Sequence, residues 1–211
     1  LMRRSTLKEM AGYGAHSFVA YVGLSFLNQA PPVLIGRTLS EAFVGYWALP
    51  TRLLQYVVEI VTRVATVTMP SSAELTAKGM WSQLARLGTA LNRYSLMLIL
   101  PFSIFLLIWG RELIAKWVGA SFAENAAPLL PAFVFSTTLA IAGQYNSIGM
   151  LFGMARHQVY SRTLVLEGLL AFAGFLVVLP RYGIVGAAWA IAGLAVLNRG
   201  LVTPFLLCRY L

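Results

Sequence analysis

The chain contains no aspartate, a single cysteine and two histidines among 211 residues. A lone Cys208 cannot make a disulfide framework. His16 and His157 are far apart, and no Cys/His group has metal-ligand spacing, so no metal site is expected. No glycine-rich phosphate loop, nucleophile elbow or aspartate pair appears, which argues against an enzyme and against a cofactor. Charge is also scarce. Only 11% of residues are charged, where a soluble domain carries about a quarter.

Apolar side chains are what the sequence has in quantity: 59% of residues are hydrophobic and the mean hydropathy is +0.75. Such a chain has too little polar surface to cover itself in water, so it reads as a membrane protein. The net charge of +9 is scattered between apolar runs. It therefore reads as anchoring on the cytoplasmic side, not as a nucleic-acid surface.

Six stretches approach the roughly 20 residues that a hydrocarbon core requires. They lie at about 15–35, 43–66, 94–108, 128–151, 163–179 and 184–206. The third is short, and the amphipathic run Trp81–Asn92 predicts a helix that starts earlier and rises obliquely from the surface. With the N-terminus in the cytoplasm, the cytoplasmic ends hold Arg3, Arg4, Lys8, Arg63, Lys78, Arg86, Arg93, Arg156, Arg162 and Arg209. The outer loops hold Arg37, Arg111, Lys116 and Arg181, while Arg52 and Arg199 fall inside spans. This asymmetry predicts that both termini are cytoplasmic. Leu1 is not an initiator, and the basic start followed by a full span is neither a cleavable signal nor a transit peptide. The chain reads as a piece of a longer transporter.

The second stretch carries groups that a bilayer does not tolerate without a reason. Arg52, Gln55, Glu59, Thr62, Arg63 and Thr66 project within an arc of roughly 100° on a helix, with Leu53, Leu54, Val57, Ile60, Val61 and Val64 covering the rest. Ionisable side chains at membrane depth face a bundle interior or a watery cavity and mark a pathway. Transport is the function this stripe points to.

Breakers and milder polar stripes recur elsewhere. Pro31–Pro32 interrupts the first span, Pro50 lies in the first turns of the second, Pro70 is expected to close it, and Pro101 interrupts the third. Proline bends helices where spans flex or line a cavity, but it also kinks them without function. Tyr21, Ser25, Asn28, Pro32 and Gly36 share one face of the first span; Ser136, Gly143, Gln144 and Ser147 share one of the fourth. Either set is interhelical glue or cavity lining. Glu167, a turn inside the fifth span, is either a coupling carboxylate or a salt-bridge partner for Arg156 or Arg162. Arg199 in the sixth span, beside Asn198, is open to snorkelling.

Five short stretches in order resemble one family. Gly45–Arg52 resembles the "VGxYxxAxR" start of a span in polysaccharide exporters. Pro70–Glu74, Lys78–Gly79 and Arg86 resemble the cytoplasmic loop after it. Trp117–Phe122 with Pro128–Leu130 resembles an outer "lwlGxxfxxaxxxL" segment, and Gly153–Arg156 the "GxxR" turn. Leu179–Ala188 resembles the "LxPxyGixGAA" hairpin before the last span. Together they are similar to the C-terminal half of a polysaccharide-biosynthesis flippase, in the superfamily of multidrug and oligosaccharidyl-lipid exporters.

The resemblance implies an all-α membrane protein: residues 1–211 as one six-helix lobe of a two-lobe alternating-access exporter in the bacterial inner membrane. It further implies an undecaprenyl-pyrophosphate-linked O-antigen or exopolysaccharide unit as substrate, and as partners the missing N-terminal lobe, membrane lipid and a polysaccharide polymerase. A pyrophosphate group wants arginines in a low-dielectric cavity, where bidentate contacts are strong. Arg52 and Arg63 are the candidates, with Arg37 at the outer mouth and Gln55, Asn28 and Gln144 lining. Glu59 is the internal counter-ion, and Glu59 and Glu167 are the candidate coupling carboxylates. The rival readings are a cation-coupled multidrug extruder, a peptidoglycan-precursor flippase and a non-transporting scaffold. The excess of Arg over Glu disfavours the first, and the stripe itself disfavours the last.

Overall fold

The computed structural model describes residues 4–154 and 156–210. Arg3 and Ala155 lie outside the described residues, as do the side chains of Arg4, Lys8, His16 and His157. The described chain is almost wholly helical. Helix α1 is Arg4–Thr38, α2 Glu41–Ala77 and α3 Trp81–Trp117. A fourth rod joins α4 (Ala120–Ala126), α5 (Leu130–Ala140) and α6 (Asn146–Gly153) through a 3₁₀ turn at Ala127–Leu129 and a π-helical turn at Ile141–Tyr145. The last stretch is α7 (His157–Ala195), a π-helical segment Val196–Val202 and α8 (Thr203–Tyr210).

Helix α7 is two arms. Gly183 within it takes φ 65° and ψ −166°, a backbone conformation that glycine reaches because it has no Cβ. The arms turn back on each other there: Asn198 donates to the carbonyl of Thr163, and Arg199 meets Glu167. Pro180 helps end the first arm. The chain reversal sits inside the Leu179–Ala188 run.

Apolar spacing builds the bundle. The buried residues of α3 are Leu84, Gly88, Leu91, Ser95, Ile99, Ser103, Leu106, Gly110 and Ile114, at three- and four-residue steps, which is one face of a helix. That face meets the fourth rod: Ser103 shares a 2.8 Å hydrogen bond with Thr138, and Asn146 donates to Asn92 at 2.8 Å and to Ser95 at 3.0 Å. Helix α1 runs alongside the first arm of α7, with Gly23 against Val165. The cores separate by end. Ile35, Trp47, Ile114, Leu129, Phe175, Leu179 and Ile184 cluster near the connections at 39–40, 118–119 and 183. Leu84, Met150, Met154 and Leu207 cluster near those at 78–80 and 154–156. The rods therefore alternate in direction.

Trp47 joins three elements, edge-to-face with Phe133 of α5 at 4.8 Å and with Phe175 of α7 at 5.4 Å. Each such pair contributes about 1 kcal/mol beyond the area buried. Pro70 does not close α2, which continues to Ala77. A proline removes one backbone donor and kinks a helix, but packing carries this one through.

Three helical stretches among the described residues are long and apolar enough to cross a membrane: Trp81–Trp117, Ala120–Gly153 and Tyr160–Arg209. The outward faces of these stretches are greasy. Met97, Leu100, Ile104, Leu166, Leu169, Val177, Leu197, Leu201 and Phe205 are all exposed. Helix α2 is long enough but is not among the three, because Arg52, Gln55, Glu59 and Arg63 lower its hydropathy.

Candidate functional site

The polar stripe of α2 points away from the bundle. Arg52, Gln55, Glu59, Arg63 and Thr66 are exposed, and Thr62 is half-buried. On the opposite side Leu53, Leu54, Val57 and Val61 are buried against the core, whereas Ile60 is exposed beside the stripe. The Arg52 guanidinium lies over the Tyr56 ring, 5.1 Å from its centroid, a cation–π contact that leaves its hydrogen-bond donors free. Among the described residues, Glu59 forms no ion pair with Arg52 or Arg63. Arg37 and Asn28 are also exposed, on α1.

Gln144 does not join this exposed set. It is buried in the π-helical turn, and its Nε2 has no hydrogen-bond partner. The rest of its stripe is buried too. The Ser136 hydroxyl donates to the Phe133 carbonyl, and the Ser147 hydroxyl to that of Gly143. Gly143 itself faces the second π-helical segment. A β-carbon there would collide with the carbonyl oxygen of Arg199 and stand 3.2 Å from the α-carbon of Gly200. This stripe is a packing seam.

A second polar centre lies inside the hairpin. Glu167, 3% exposed, accepts from Arg199 Nε at 2.7 Å through Oε1 and from Asn198 Nδ2 at 2.5 Å through Oε2. The sequence expectation of Arg156 or Arg162 as the partner of Glu167 is thus corrected. The signal for Arg199 was present: in an antiparallel hairpin turning at Gly183, residues 167 and 199 fall at the same depth. Arg199 does not snorkel: its guanidinium turns inward onto Glu167. Where the π-helical segment loosens the backbone ladder, the Thr203 hydroxyl donates to the carbonyl of Asn198 at 3.0 Å.

At the far end of α2, Lys78 and Glu74 pair at 2.5 Å, and the hydrogen bond from the Lys78 ammonium, then its charge, hold the Glu74 carboxyl below its ordinary range. The pair is open to water, where such contacts contribute little.

Residues 1–127, covering α1 to α4, match the family described as polysaccharide biosynthesis protein. The chain belongs to that family. The α2 stripe lies within the matched residues and the Glu167 centre beyond them. The uncharacterized membrane protein MJ1068 of Methanocaldococcus jannaschii is 25% identical over 194 residues, which cover 89% of this chain and 37% of that protein. The chain thus spans little more than a third of the relative's length. No solved structure matches it. Family, relative and the three apolar stretches agree on a membrane protein of polysaccharide biosynthesis.

Proposed function

We propose that this chain is one six-helix lobe of an exporter that flips an anionic lipid-linked oligosaccharide across the bacterial inner membrane. It acts by binding and alternating access and catalyses no covalent step. In this reading α1, α2, α3, the fourth rod and the two arms of α7 each cross the bilayer, with both termini cytoplasmic. A second lobe of the same protein faces the α2 stripe across a cavity.

One observation carries the reading: two arginines and a glutamate stand exposed and mutually unpaired on a helix whose opposite face is core. Charges at that depth are not stable against acyl chains, so the face borders water or a partner. Uncommitted guanidinium forks suit a pyrophosphate, because planar donors match its oxygens in pairs. Arg37 and Asn28 widen the polar surface on α1. Glu167 serves the fold, since its two oxygens are already engaged within the hairpin. Glu59 is left as the carboxylate with access to the cavity. An undecaprenyl-pyrophosphate carrier, with a polymerase receiving the saccharide, fits this chemistry.

The test is export by the full-length protein. Arg52→Ala and Arg63→Ala should abolish surface polysaccharide at normal membrane expression. Arg52→Lys should restore only part, because a point charge cannot reproduce the fork. Normal export by both alanine variants would leave the stripe a structural feature only.

A further inference from the structure

Helix α3 carries a second basic surface, unrelated to the α2 stripe. Arg86 and Arg93 lie opposite its buried face, two helical turns and about 10 Å apart along the axis. Between them an open groove of about 400 Å³ is lined by Ala85, Arg86, Thr89, Ala90, Arg93 and Tyr94. The two small alanines leave the space. Among the described residues neither arginine is in an ion pair. The sequence offers no carboxylate between Glu74, already held by Lys78, and Glu112. The Thr89 hydroxyl is spent on the Ala85 carbonyl, so the free donors are the two guanidiniums and the Tyr94 hydroxyl.

Below the groove the outward face turns apolar, with Met97, Leu100, Ile104 and Leu107 exposed. The next charge on that face is Arg111. It lies eighteen residues beyond Arg93, or about 27 Å of helix, against about 30 Å for a hydrocarbon core. Arg93 and Arg111 therefore stand at opposite interfaces, and Arg86 reaches into the head-group layer. A lipid on this face would lay its chains along Met97–Leu107 and its phosphate between two unneutralised guanidiniums.

We propose that the Arg86–Arg93 groove is a binding site for an anionic phospholipid, with its phosphodiester held by both guanidiniums. The site is on a lipid-facing helix and holds whether or not the chain exports a saccharide. The test titrates the full-length protein in neutral detergent with phosphatidylglycerol and, separately, phosphatidylcholine, and counts bound lipid by native mass spectrometry. Wild type should prefer phosphatidylglycerol. Arg86→Gln with Arg93→Gln should weaken that binding about thirtyfold, the loss of two basic residues at about 1 kcal/mol each, while phosphatidylcholine is unaffected. Arg86→Lys with Arg93→Lys keeps the charge and the fold and should retain most of the binding. Arg111→Gln, at the other end of the same face, should leave binding at the groove unchanged. Equal phosphatidylglycerol binding by wild type and the double Gln variant would overturn the site, as would an equal loss in Arg111→Gln. Displacement of phosphatidylglycerol by farnesyl diphosphate, but not by inorganic pyrophosphate, would reassign the groove to an isoprenoid carrier and also overturn it.

Discussion

Glu167 and Arg199 meet at 2.7 Å across the last helical hairpin, each sixteen residues from the turn at Gly183. The carboxylate is closed off from water, and Asn198 takes its other oxygen. Both carboxylate oxygens are engaged inside the hairpin, so the pair latches the register of its two antiparallel arms.

Breaking the latch from one side should be worse than removing it whole. Glu167→Gln or Arg199→Gln alone leaves an uncompensated buried charge and should destabilise by about 3–5 kcal/mol. Glu167→Gln with Arg199→Gln removes both charges and should recover much of that loss. The measurement is thermal unfolding of the full-length protein in detergent, read as a double-mutant cycle. Strictly additive single and double effects would contradict a coupled pair.

The contact between the two π-helical segments depends on a missing side chain. Gly143→Ala drives a methyl into the carbonyl of Arg199 and should destabilise by about 1–3 kcal/mol, the usual range for overpacking. Gly174, with nothing near its would-be β-carbon, is the control. Gly174→Ala should be neutral or slightly stabilising, because alanine favours a helix. Equal melting temperatures for the two variants would mean the seam yields.

Alternating rods make a topology test simple. Lys78→Cys and Arg156→Cys, each in a background with the exposed Cys208 replaced, should label from the cytoplasmic side only. So should Cys208 in the native chain, since all three lie at one end of the bundle. Labelling of Lys78→Cys from outside would invert the orientation expected from the basic residues.

Much of this architecture was readable in the residues because the physics behind it is local. Helices follow from long apolar runs, and the early start of α3 follows from the amphipathic Trp81–Asn92 segment, which enters the helix without a break. The α2 stripe was legible for the same reason: a hundred-degree period separates Arg52, Glu59 and Arg63 from Leu54, Val57 and Val61 with no tertiary knowledge. Pairing was harder to read. Gln144 looked like a cavity group because its face was polar, yet that face is buried, with Gly143 set against the chain of Arg199 and Gly200 more than fifty residues on. Whether a polar stripe faces water or a neighbour depends on which rod lies opposite. The partner of Glu167 failed for a related reason, since nearness along the chain favoured Arg162 while the hairpin favoured Arg199. Pro70 showed the limit of local rules in the other direction, with packing against α6 carrying a helix through a residue that ordinarily ends one.

Glu59 offers the sharpest test of what the stripe does. It stands one turn from Arg63 and two from Arg52 and pairs with neither. Side chains one turn apart lie about 6 Å from each other, close enough for the carboxylate to offset part of the arginines' charge, though on an exposed face by no more than about 1 kcal/mol. Under the proposed function, Glu59 would weaken the pull of the arginines on an anionic substrate without occupying their donors, which favours release. Glu59→Gln should bind the lipid-linked substrate more tightly and turn over more slowly, with export reduced but not lost and expression unchanged. In reconstituted vesicles this appears as a lower KM together with a lower kcat. Complete loss of export at every pH, with substrate binding intact, would instead make Glu59 the carrier of a coupling proton.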